Sequence, residues 1–213
     1  MTTKQRSKTT KPAGRRLPLA LIGGAVFTVL LIVTVFLTLE GETDDRPDEY
    51  GSPTVTGALP VLADSTADPA MGTSAPEVTG QSFDGTEISI TADGTAKAIV
   101  FLAHWCPFCQ EELPWVSDWL AENGTPAGVD VYAVATAISR NRENWPPSEW
   151  LEREGFDGPI LVDDEANSIA NAFGLPAYPY WVFVDADGNV AGRVSGGITP
   201  DDLAAVLATL ARS

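Results

Sequence analysis

A long apolar run near the N-terminus is the most prominent pattern in the chain. Residues 17–39 contain no ionisable side chain, and at about 1.5 Å per residue a helix of this length crosses the roughly 30 Å hydrocarbon core of a bilayer. A cleaved signal peptide is the alternative, but its apolar region is normally about 7 to 15 residues long, and no small-x-small cleavage site follows here. The pattern predicts an uncleaved transmembrane helix over 17–39.

Charged residues on the two sides of this run predict its orientation. Residues 1–16 form a basic tail, and no acidic residue precedes Glu40. Because basic residues flank membrane helices on the cytoplasmic side, we expect a single-pass protein of the cell membrane with a cytoplasmic N-terminus. The bulk of the chain is then extracytoplasmic.

Residues 40–75 show neither a helical nor a strand period. They are acidic and rich in Gly, Pro, Ser and Thr, a composition typical of chain that does not pack. The pattern predicts a flexible acidic linker between the membrane and a folded domain that begins at Pro76. Within it, the short apolar stretch 58–63 is the part suited to dock on another surface, and this alternative stays open.

From Pro76 onwards, strand-like and helix-like patterns alternate. Short apolar runs bounded by turn residues predict strands, and apolar residues at helical spacing predict helices. In chain order the pattern predicts a hairpin around Asp84-Gly85, a buried strand in AKAIVFLAHW, a helix after Cys106 that ends near Asn123-Gly124, a strand in VDVYAVATAI, helices in PPSEWLEREG and DEANSIANAFG separated by the strand PILV, a hairpin in YPYWVFVDADGNVAGRVSGG, and a last helix capped by Thr199 with Pro200 at its first position. Such alternation, closed by a hairpin, predicts an α/β domain over 76–213 with a mixed central sheet flanked by helices.

The charge balance excludes one class of function. Six of the 13 basic residues precede residue 17, so the rest of the 213-residue chain carries 7 basic against 29 acidic side chains, a formal charge of −22. Such a body repels phosphate backbones, and it lacks the clustered Lys and Arg that nucleic-acid binding requires. We therefore expect no nucleic-acid partner.

The chain's two cysteines, Cys106 and Cys109, are its strongest chemical signal. They fall where a predicted buried strand ends and a helix begins, so unpaired backbone N–H groups and the helix dipole stabilise a thiolate on the first cysteine. Pro107 suits the first helical turn. The spacing brings Cys109 to the same helix face, close enough for a disulfide. Cys106 can then attack a substrate disulfide, and Cys109 can resolve the mixed disulfide.

Two other uses of the pair have to be weighed. A zinc site needs about four ligands, and one CxxC motif with His104 as the only histidine does not provide them; we expect neither a metal nor a cofactor. A structural disulfide is harder to exclude, since the expected compartment is oxidising. However, so short a loop constrains the unfolded chain little. A redox-active pair is the favoured interpretation, with the structural bond left open.

The stretch AHWCPFCQEELP and the downstream YPYWVFVDADGNV together resemble the thioredoxin-like thiol-disulfide oxidoreductases. The resemblance is to the membrane-tethered bacterial branch of TlpA-like proteins, which is related to cytochrome c maturation proteins, and it covers residues 76–211. It rests on a Trp before the CxxC motif, on Glu112 and Pro114 after it, and on the downstream motif. It implies a thioredoxin fold and an enzyme that exchanges thiols and disulfides.

The resemblance also implies roles for individual residues. Tyr178-Pro179 corresponds to a cis-proline segment that faces the cysteines and pairs with an extended substrate; Pro176 is the competing candidate. Glu112 corresponds to an acidic residue that assists proton transfer; the alternative is a solvent-facing glutamate stabilised by the helix dipole. Val100 stands where thioredoxins carry a buried aspartate.

Residues beside the cysteines are expected to shape the contact with a substrate. Trp105 either shields the sulfurs and contacts partners or simply packs at the rim of the sheet. Phe108 should be exposed, because the first helical turn beside a reactive thiol is not deep core, and Pro107 belongs to the same turn. His104 either stabilises the thiolate or points elsewhere, and the second arrangement is favoured.

Together these observations predict a membrane-anchored enzyme whose catalytic domain lies outside the cytoplasm. Its partners would be cysteine-containing exported proteins or apocytochromes, and a membrane thiol-disulfide electron carrier that recharges it as a reductant. Two alternatives remain open. One is an oxidase that inserts disulfides, and the other is a non-catalytic binding module whose disulfide is structural.

Overall fold

The computed structural model describes residues 49–63 and 67–212. The predicted basic tail at 1–16, the predicted transmembrane helix at 17–39 and the first part of the predicted linker lie outside these residues. Within the described ranges, no helix combines the length and the apolarity that a membrane crossing requires.

Eight strands of the described chain form two sheets. In the first sheet, β1 (Thr54–Thr56), β2 (Glu77–Gln81) and β3 (Glu87–Ile90) pair antiparallel in sequence order. The second sheet has the order β6-β5-β4-β7-β8 and consists of β4 (Ala96–Leu102), β5 (Val129–Ala135), β6 (Ile160–Val162), β7 (Tyr180–Val184) and β8 (Val190–Ser195). β4, β5 and β6 run parallel, whereas β7 pairs antiparallel with both β4 and β8. The predicted mixed sheet is confirmed.

The helices begin and end close to the predicted positions. They are α1 (Pro107–Asn123), α2 (Pro147–Arg153), α3 (Ser168–Ala172) and α4 (Pro200–Leu210). Thr199 caps α4, since its side-chain oxygen accepts a hydrogen bond from the Asp202 backbone N–H at 3.2 Å. Gly124 follows α1 as its C-cap, and its φ of 69° lies in the region that glycine tolerates best.

β4 lies at the centre of the larger sheet, and all seven of its residues are buried. Its side chains alternate between two cores, as the pleat of a strand requires. Val100 and Leu102 pack in a first core with α1 and α4, whereas Ile99 and Phe101 pack in a second core with α3 and β2. The chain leaves β4 directly into the segment that carries the two cysteines.

Residues 49–63 and 67–75 belong to the folded body, so the flexible linker predicted up to residue 75 is wrong for them. β1 pairs with β2, and Leu59 and Leu62 are buried in the second core. Isolated apolar residues in an irregular segment carry no periodic signal, yet here they cover an apolar sheet face. Docking of the apolar stretch, the alternative left open above, is what the structure shows. We call residues 49–63 and 67–75 the N-terminal belt.

A buried ion pair fastens the N-terminal belt to β8. Arg193 donates from Nε to Asp68 Oδ2 at 2.7 Å and from Nη2 to Asp68 Oδ1, and its Nη1 donates to the Pro60 carbonyl at 2.9 Å. The Arg193 and Asp68 side chains are only 0% and 2% exposed. The hydrogen bonds from Arg193 lower the pKa of Asp68. The pair is therefore charged at neutral pH, and it links the N-terminal belt to β8 through buried contacts.

Candidate active site

Cys106 and Cys109 lie at the beginning of α1, where the chain has left β4. Cys106 is the N-cap residue with extended backbone angles, and Pro107 occupies the first helical turn. Both cysteines are free thiols, with exposed fractions of 6% for Cys106 and 0% for Cys109. Cys106 is therefore the thiol that a substrate can reach.

Burial raises the pKa of the Cys109 thiol. A backbone hydrogen bond involving Ala103 acts in the opposite direction, whereas the nearby Cys106 sulfur and Glu112 carboxyl group raise the pKa further. Cys109 consequently keeps its proton at neutral pH. A neighbouring base must accept this proton before Cys109 can attack a disulfide.

The Tyr178–Pro179 peptide bond is cis, as the resemblance implied, and Pro176 follows a trans bond. The Cys106 Sγ donates to the Tyr178 carbonyl oxygen at 3.8 Å. Pro179 is buried, and Tyr178 is partly buried. The cis-proline segment therefore lies directly against the Cys106 sulfur. A second cis bond, Trp145–Pro146, was not predicted.

Glu112 is buried, so the solvent-facing alternative is wrong. The residue is 4% exposed. Its Oε1 accepts a hydrogen bond from Trp181 Nε1 at 2.7 Å, and its Oε2 accepts one from the Ile198 backbone N–H at 2.8 Å. Burial raises the pKa of the Glu112 carboxyl group, and the two hydrogen bonds oppose this shift. Sequence reasoning identified Glu112 but not its partners, which lie on β7 and just after β8.

The buried carboxyl group beside the cysteines comes from α1 rather than from β4. Val100, at the position where thioredoxins carry a buried aspartate, is an apolar member of the first core. The absence of a side chain at Gly197 leaves room for the Glu112 carboxyl group, because a Cβ atom on residue 197 would lie 3.0 Å from Glu112 Oε2. The interior acid of this site is thus held between α1, β7 and the segment before α4.

The residues predicted to contact substrate include the sequence neighbours of Cys106. Phe108 is 65% exposed, which confirms its expected exposure, and Pro107 is also exposed. Trp105 packs at the rim of the sheet, where its Nε1 donates to the Ala137 carbonyl at 2.7 Å. Its ring meets the Tyr178 ring edge-on, with centroids 6.0 Å apart. Aromatic side chains therefore stand directly before Cys106 and two positions after it in the chain.

His104 is turned away from the cysteines, as expected. Its Nδ1 donates to the Glu143 carbonyl at 2.6 Å, and the Ser139 backbone N–H donates to its Nε2 at 3.2 Å. Since a backbone N–H can only donate, Nε2 carries no proton and the ring is neutral. Burial lowers the pKa of His104, and the charge of Arg142 lowers it too. The ring therefore positions the loop that contains Ser139 and Glu143 through two hydrogen bonds.

The loop held by His104 joins β5 to α2 and comprises residues 136–146. The sequence did not predict that it contributes to the site. The loop brings the guanidinium of Arg142 over the Trp105 ring, with 4.6 Å between Cζ and the ring centroid. It also places the guanidinium of Arg140 over Trp145 at 5.2 Å. The available signal was a pair of arginines in an otherwise acidic domain. We call residues 136–146 the β5–α2 loop.

Comparisons with known proteins match most of the domain that carries this site. A family model described as Redoxin matches residues 70–207. The thiol-disulfide oxidoreductase ResA of Geobacillus thermodenitrificans is 26% identical over 136 residues, which cover 63% of this chain and 74% of that protein. ResA of Geobacillus kaustophilus is 25% identical over the same shares of the two chains.

Solved structures share the architecture. A thioredoxin-family thiol:disulfide interchange protein from Chlorobium tepidum TLS is 25% identical, with a TM-score of 0.53 over 68% of this chain and 99% of that one. A putative thiol:disulfide interchange protein DsbE from Chlorobium tepidum reaches a TM-score of 0.56 at 19% identity, over 66% and 97% of the two chains. The fold is thioredoxin-like, and the range matched by the family model contains both cysteines and the cis-proline.

Proposed function

We propose, from the premise that this chain belongs to the Redoxin family and is a thiol-disulfide oxidoreductase, that Cys106 and Cys109 are its reacting pair. The observation that carries the proposal is the pairing of a cysteine that keeps some exposure, 6% for Cys106, with one that keeps none. The Cys106 sulfur lies at the beginning of α1 beside the Tyr178 carbonyl, while Cys109, one turn further on, is fully buried. A substrate sulfur therefore meets Cys106 first.

Exchange then proceeds in two balanced steps. Cys106 gives its proton to solvent, and its thiolate attacks one sulfur of a substrate disulfide, so that the substrate S–S bond breaks and a mixed disulfide forms. The released substrate thiolate takes up a proton. Glu112 then accepts the Cys109 proton, and the Cys109 thiolate attacks the Cys106 sulfur. The second substrate sulfur leaves as a thiolate that takes up a proton from solvent, and Glu112 returns the Cys109 proton to solvent. A Cys106–Cys109 disulfide remains, so two electrons have passed to the substrate.

Reduction is the physiological direction that the site favours. An oxidant of this class depends on a stabilised reduced form, which a stabilised thiolate provides. Besides the start of α1 and the neighbouring protonated Cys109, the Cys106 sulfur faces a carbonyl oxygen, which accepts its hydrogen bond and cannot donate one to a thiolate. The neutral His104 is turned away, and burial raises the pKa of Cys109. These features support a reductant rather than a disulfide-forming oxidase.

The proposed substrates are disulfides in exported proteins or apocytochromes. Their extended segments would lie beside Tyr178 and Pro179, in contact with Trp105, Pro107 and Phe108. The apolar sequence at 17–39 supports a single-pass anchor that keeps the domain outside the cytoplasm and close to the membrane. A membrane thiol-disulfide electron carrier would then return two electrons to the oxidised pair.

The reduction potential of the Cys106–Cys109 couple tests the direction. The full-length protein is equilibrated with glutathione redox buffers and followed through the fluorescence of Trp105 and its neighbours. We expect a value near that of thioredoxin, about −270 mV. A value near about −120 mV would support the oxidase, and one well below about −300 mV would identify a structural bond and overturn the enzyme mechanism.

Cysteine variants test the order of attack. Cys109→Ser should accumulate mixed disulfides with substrates, whereas Cys106→Ser should form none. Circular dichroism of both variants checks that the fold is retained. If the wild-type protein binds extended segments but exchanges no disulfide, the non-catalytic binding module is the better description.

A further inference from the structure

The β5–α2 loop is tied to the residues that precede Cys106. Trp105 Nε1 donates to the Ala137 carbonyl at 2.7 Å. His104, through its ring and its carbonyl oxygen, holds three further residues of the loop, namely Ser139, Glu143 and Asn144. The position of this loop relative to the reactive sulfur is therefore set by a network of hydrogen bonds.

Arg142 projects from this loop onto the wall of the active site. Its guanidinium stacks on Trp105, the residue directly before Cys106, with 4.6 Å between Cζ and the ring centroid, and Arg142 is exposed. Stacking uses the faces of the guanidinium and the ring, whereas the N–H donors lie in the guanidinium plane. Two of these donors match the two oxygens of a carboxylate. The stacked arginine can therefore donate two hydrogen bonds to a carboxylate at the rim of the site.

The charge of the surrounding domain makes this arginine unusual. From residue 40 onwards the chain has 7 basic against 29 acidic residues. Of the basic residues, Lys97 and Arg193 are buried in ion pairs with Asp93 and Asp68. Most of such a surface repels an acidic segment. An exposed arginine near the cysteines therefore offers a local site at which a negatively charged group is attracted.

We propose that Arg142, held flat against Trp105, binds a substrate carboxylate next to the cysteine that reacts with Cys106. Because Arg142 stacks on Trp105, which directly precedes Cys106, the Asp or Glu that supplies it lies close in sequence to that cysteine. The inference rests on the proposed exchange function, for which it names a substrate class. The carboxylate itself does not react, and the ion pair orients the substrate disulfide for the two-step transfer described above.

Two peptide isomers test this proposal. Both have the same composition and net charge, and the single cysteine of each forms a mixed disulfide with 2-mercaptoethanol. In one isomer an aspartate is next to the cysteine, and in the other the aspartate is at the far end. The reduced full-length protein, in a neutral detergent, is mixed with each isomer, and the released peptide thiol is measured after an acid quench. Dividing by the rate with dithiothreitol removes the intrinsic effect of the aspartate on the disulfide.

The isomer with the adjacent aspartate should react about three- to fivefold faster at low ionic strength, and added salt should reduce this ratio. Arg142→Gln should bring the ratio to about one, since no cation is left to pair with the carboxylate. Arg142→Lys keeps the charge but loses the planar fork, so it should retain part of the ratio. Arg212→Gln, at an exposed arginine near the C-terminus, is the matched control and should keep all of it.

Equal normalised rates for the two isomers would overturn the carboxylate site and leave the exchange function intact. A preference that persists in Arg142→Gln would overturn it as well, because the preference would then arise elsewhere. If the wild-type protein reacts with neither isomer although dithiothreitol reduces both, the proposed function fails, and this inference fails with it.

Discussion

Burial raises the pKa of two neighbouring acids, Glu112 and Cys109. Each charged form loses hydration in the interior, and the charge of Glu112 raises the pKa of Cys109 further, because neighbouring negative charges repel each other. A thiolate forms on Cys109 most readily when Glu112 takes up its proton, because the net charge of the pair then stays the same. At the scale of single residues, the site is suited to moving one proton from a buried thiol to a buried carboxylate.

Replacing Glu112 with Gln should therefore slow the second step of exchange. The amide cannot accept the Cys109 proton, so the mixed disulfide on Cys106 should persist, with its resolution slowed on the order of 10²-fold. Single-turnover quenched-flow experiments measure this step. Glu111→Gln, at the exposed neighbouring position, is the matched control and should resolve at the wild-type rate. Normal resolution in Glu112→Gln would remove this residue from the proton path.

The same variant should be less stable, by an amount that depends on pH. The amide nitrogen that replaces one carboxylate oxygen would face a backbone or indole N–H donor, which leaves that donor unpaired at a cost of about 1–3 kcal/mol. The folded-state pKa of Glu112 lies above its ordinary 4.5, so just above that pH the folded state binds more protons than the unfolded state, and wild-type stability falls as the pH rises. Urea unfolding measures the free energy of unfolding of both proteins. The excess of the wild-type value over that of Glu112→Gln should be largest below pH 4.5, the ordinary pKa of a glutamate, and should become smaller as the pH rises. A difference that is constant with pH would contradict the raised pKa.

At the scale of elements, the N-terminal belt is attached along its whole described length. At its start, Ser148 at the first turn of α2 donates to Glu49 from both its backbone N–H and its hydroxyl, at 3.1 and 2.8 Å. Tyr50 donates from its hydroxyl to the Ile138 carbonyl in the β5–α2 loop at 3.1 Å. Further on, Asp68 pairs with Arg193. The belt thus braces the loop that carries Arg142 and is also locked to β8.

Asp68→Asn should strongly destabilise the protein. The Arg193 side chain is 0% exposed and would lose its counter-ion, which costs about 3–5 kcal/mol when one partner of a buried pair is removed. Urea unfolding measures the loss, and limited proteolysis should show new cleavage within the N-terminal belt. Asp118→Asn, at an exposed position on α1, is the control and should change stability by less than about 0.5 kcal/mol. Wild-type stability and protease resistance in Asp68→Asn would show that the belt is held by other contacts.

At the scale of the whole molecule, the two cores have different tasks. The first core contains Cys106 and Cys109 together with α1 and α4. The second core contains Leu59, Leu62 and Ala70 of the belt, packed with α3 and the inner face of the sheet. The two cysteines and the N-terminal belt are therefore on different faces of the central sheet. Removal of the belt should expose the second core without removing any reacting group.

A chain that begins at Pro76 should accordingly be less stable than one that begins at Arg46. It lacks β1, three buried apolar residues and the counter-ion of Arg193. The unpaired arginine alone costs about 3–5 kcal/mol, equivalent to a decrease in Tm of roughly 10 °C for a domain of this size. Calorimetry measures the decrease, and binding of a hydrophobic dye reports the exposed core. Equal Tm values for the two chains would mean that the belt contributes nothing to folding.

The sequence by itself determined the features that depend on residues close together in the chain. Pro107 and Thr199 begin their helices, Asp84-Gly85 turns the first hairpin, and the CxxC spacing brings two thiols to one helical turn. These are decided by local backbone preferences and by the period of apolar side chains. For this reason the mixed sheet, the helices and the placement of the two thiols at the start of a helix could all be predicted, and the resemblance added the cis-proline.

Only the tertiary structure decided the environment of these groups. Glu112 is buried because it meets the backbone of a residue 86 positions away, and the belt is docked because Asp68 meets a residue 125 positions away. A single leucine or aspartate in an irregular segment has no period, so nothing in its neighbourhood predicts burial. Likewise, the contact of Arg142 with Trp105 exists only because β4 and β5 lie side by side. Hydrophobic patterning shows which face of a segment is buried, but which surface covers that face depends on the assembled fold.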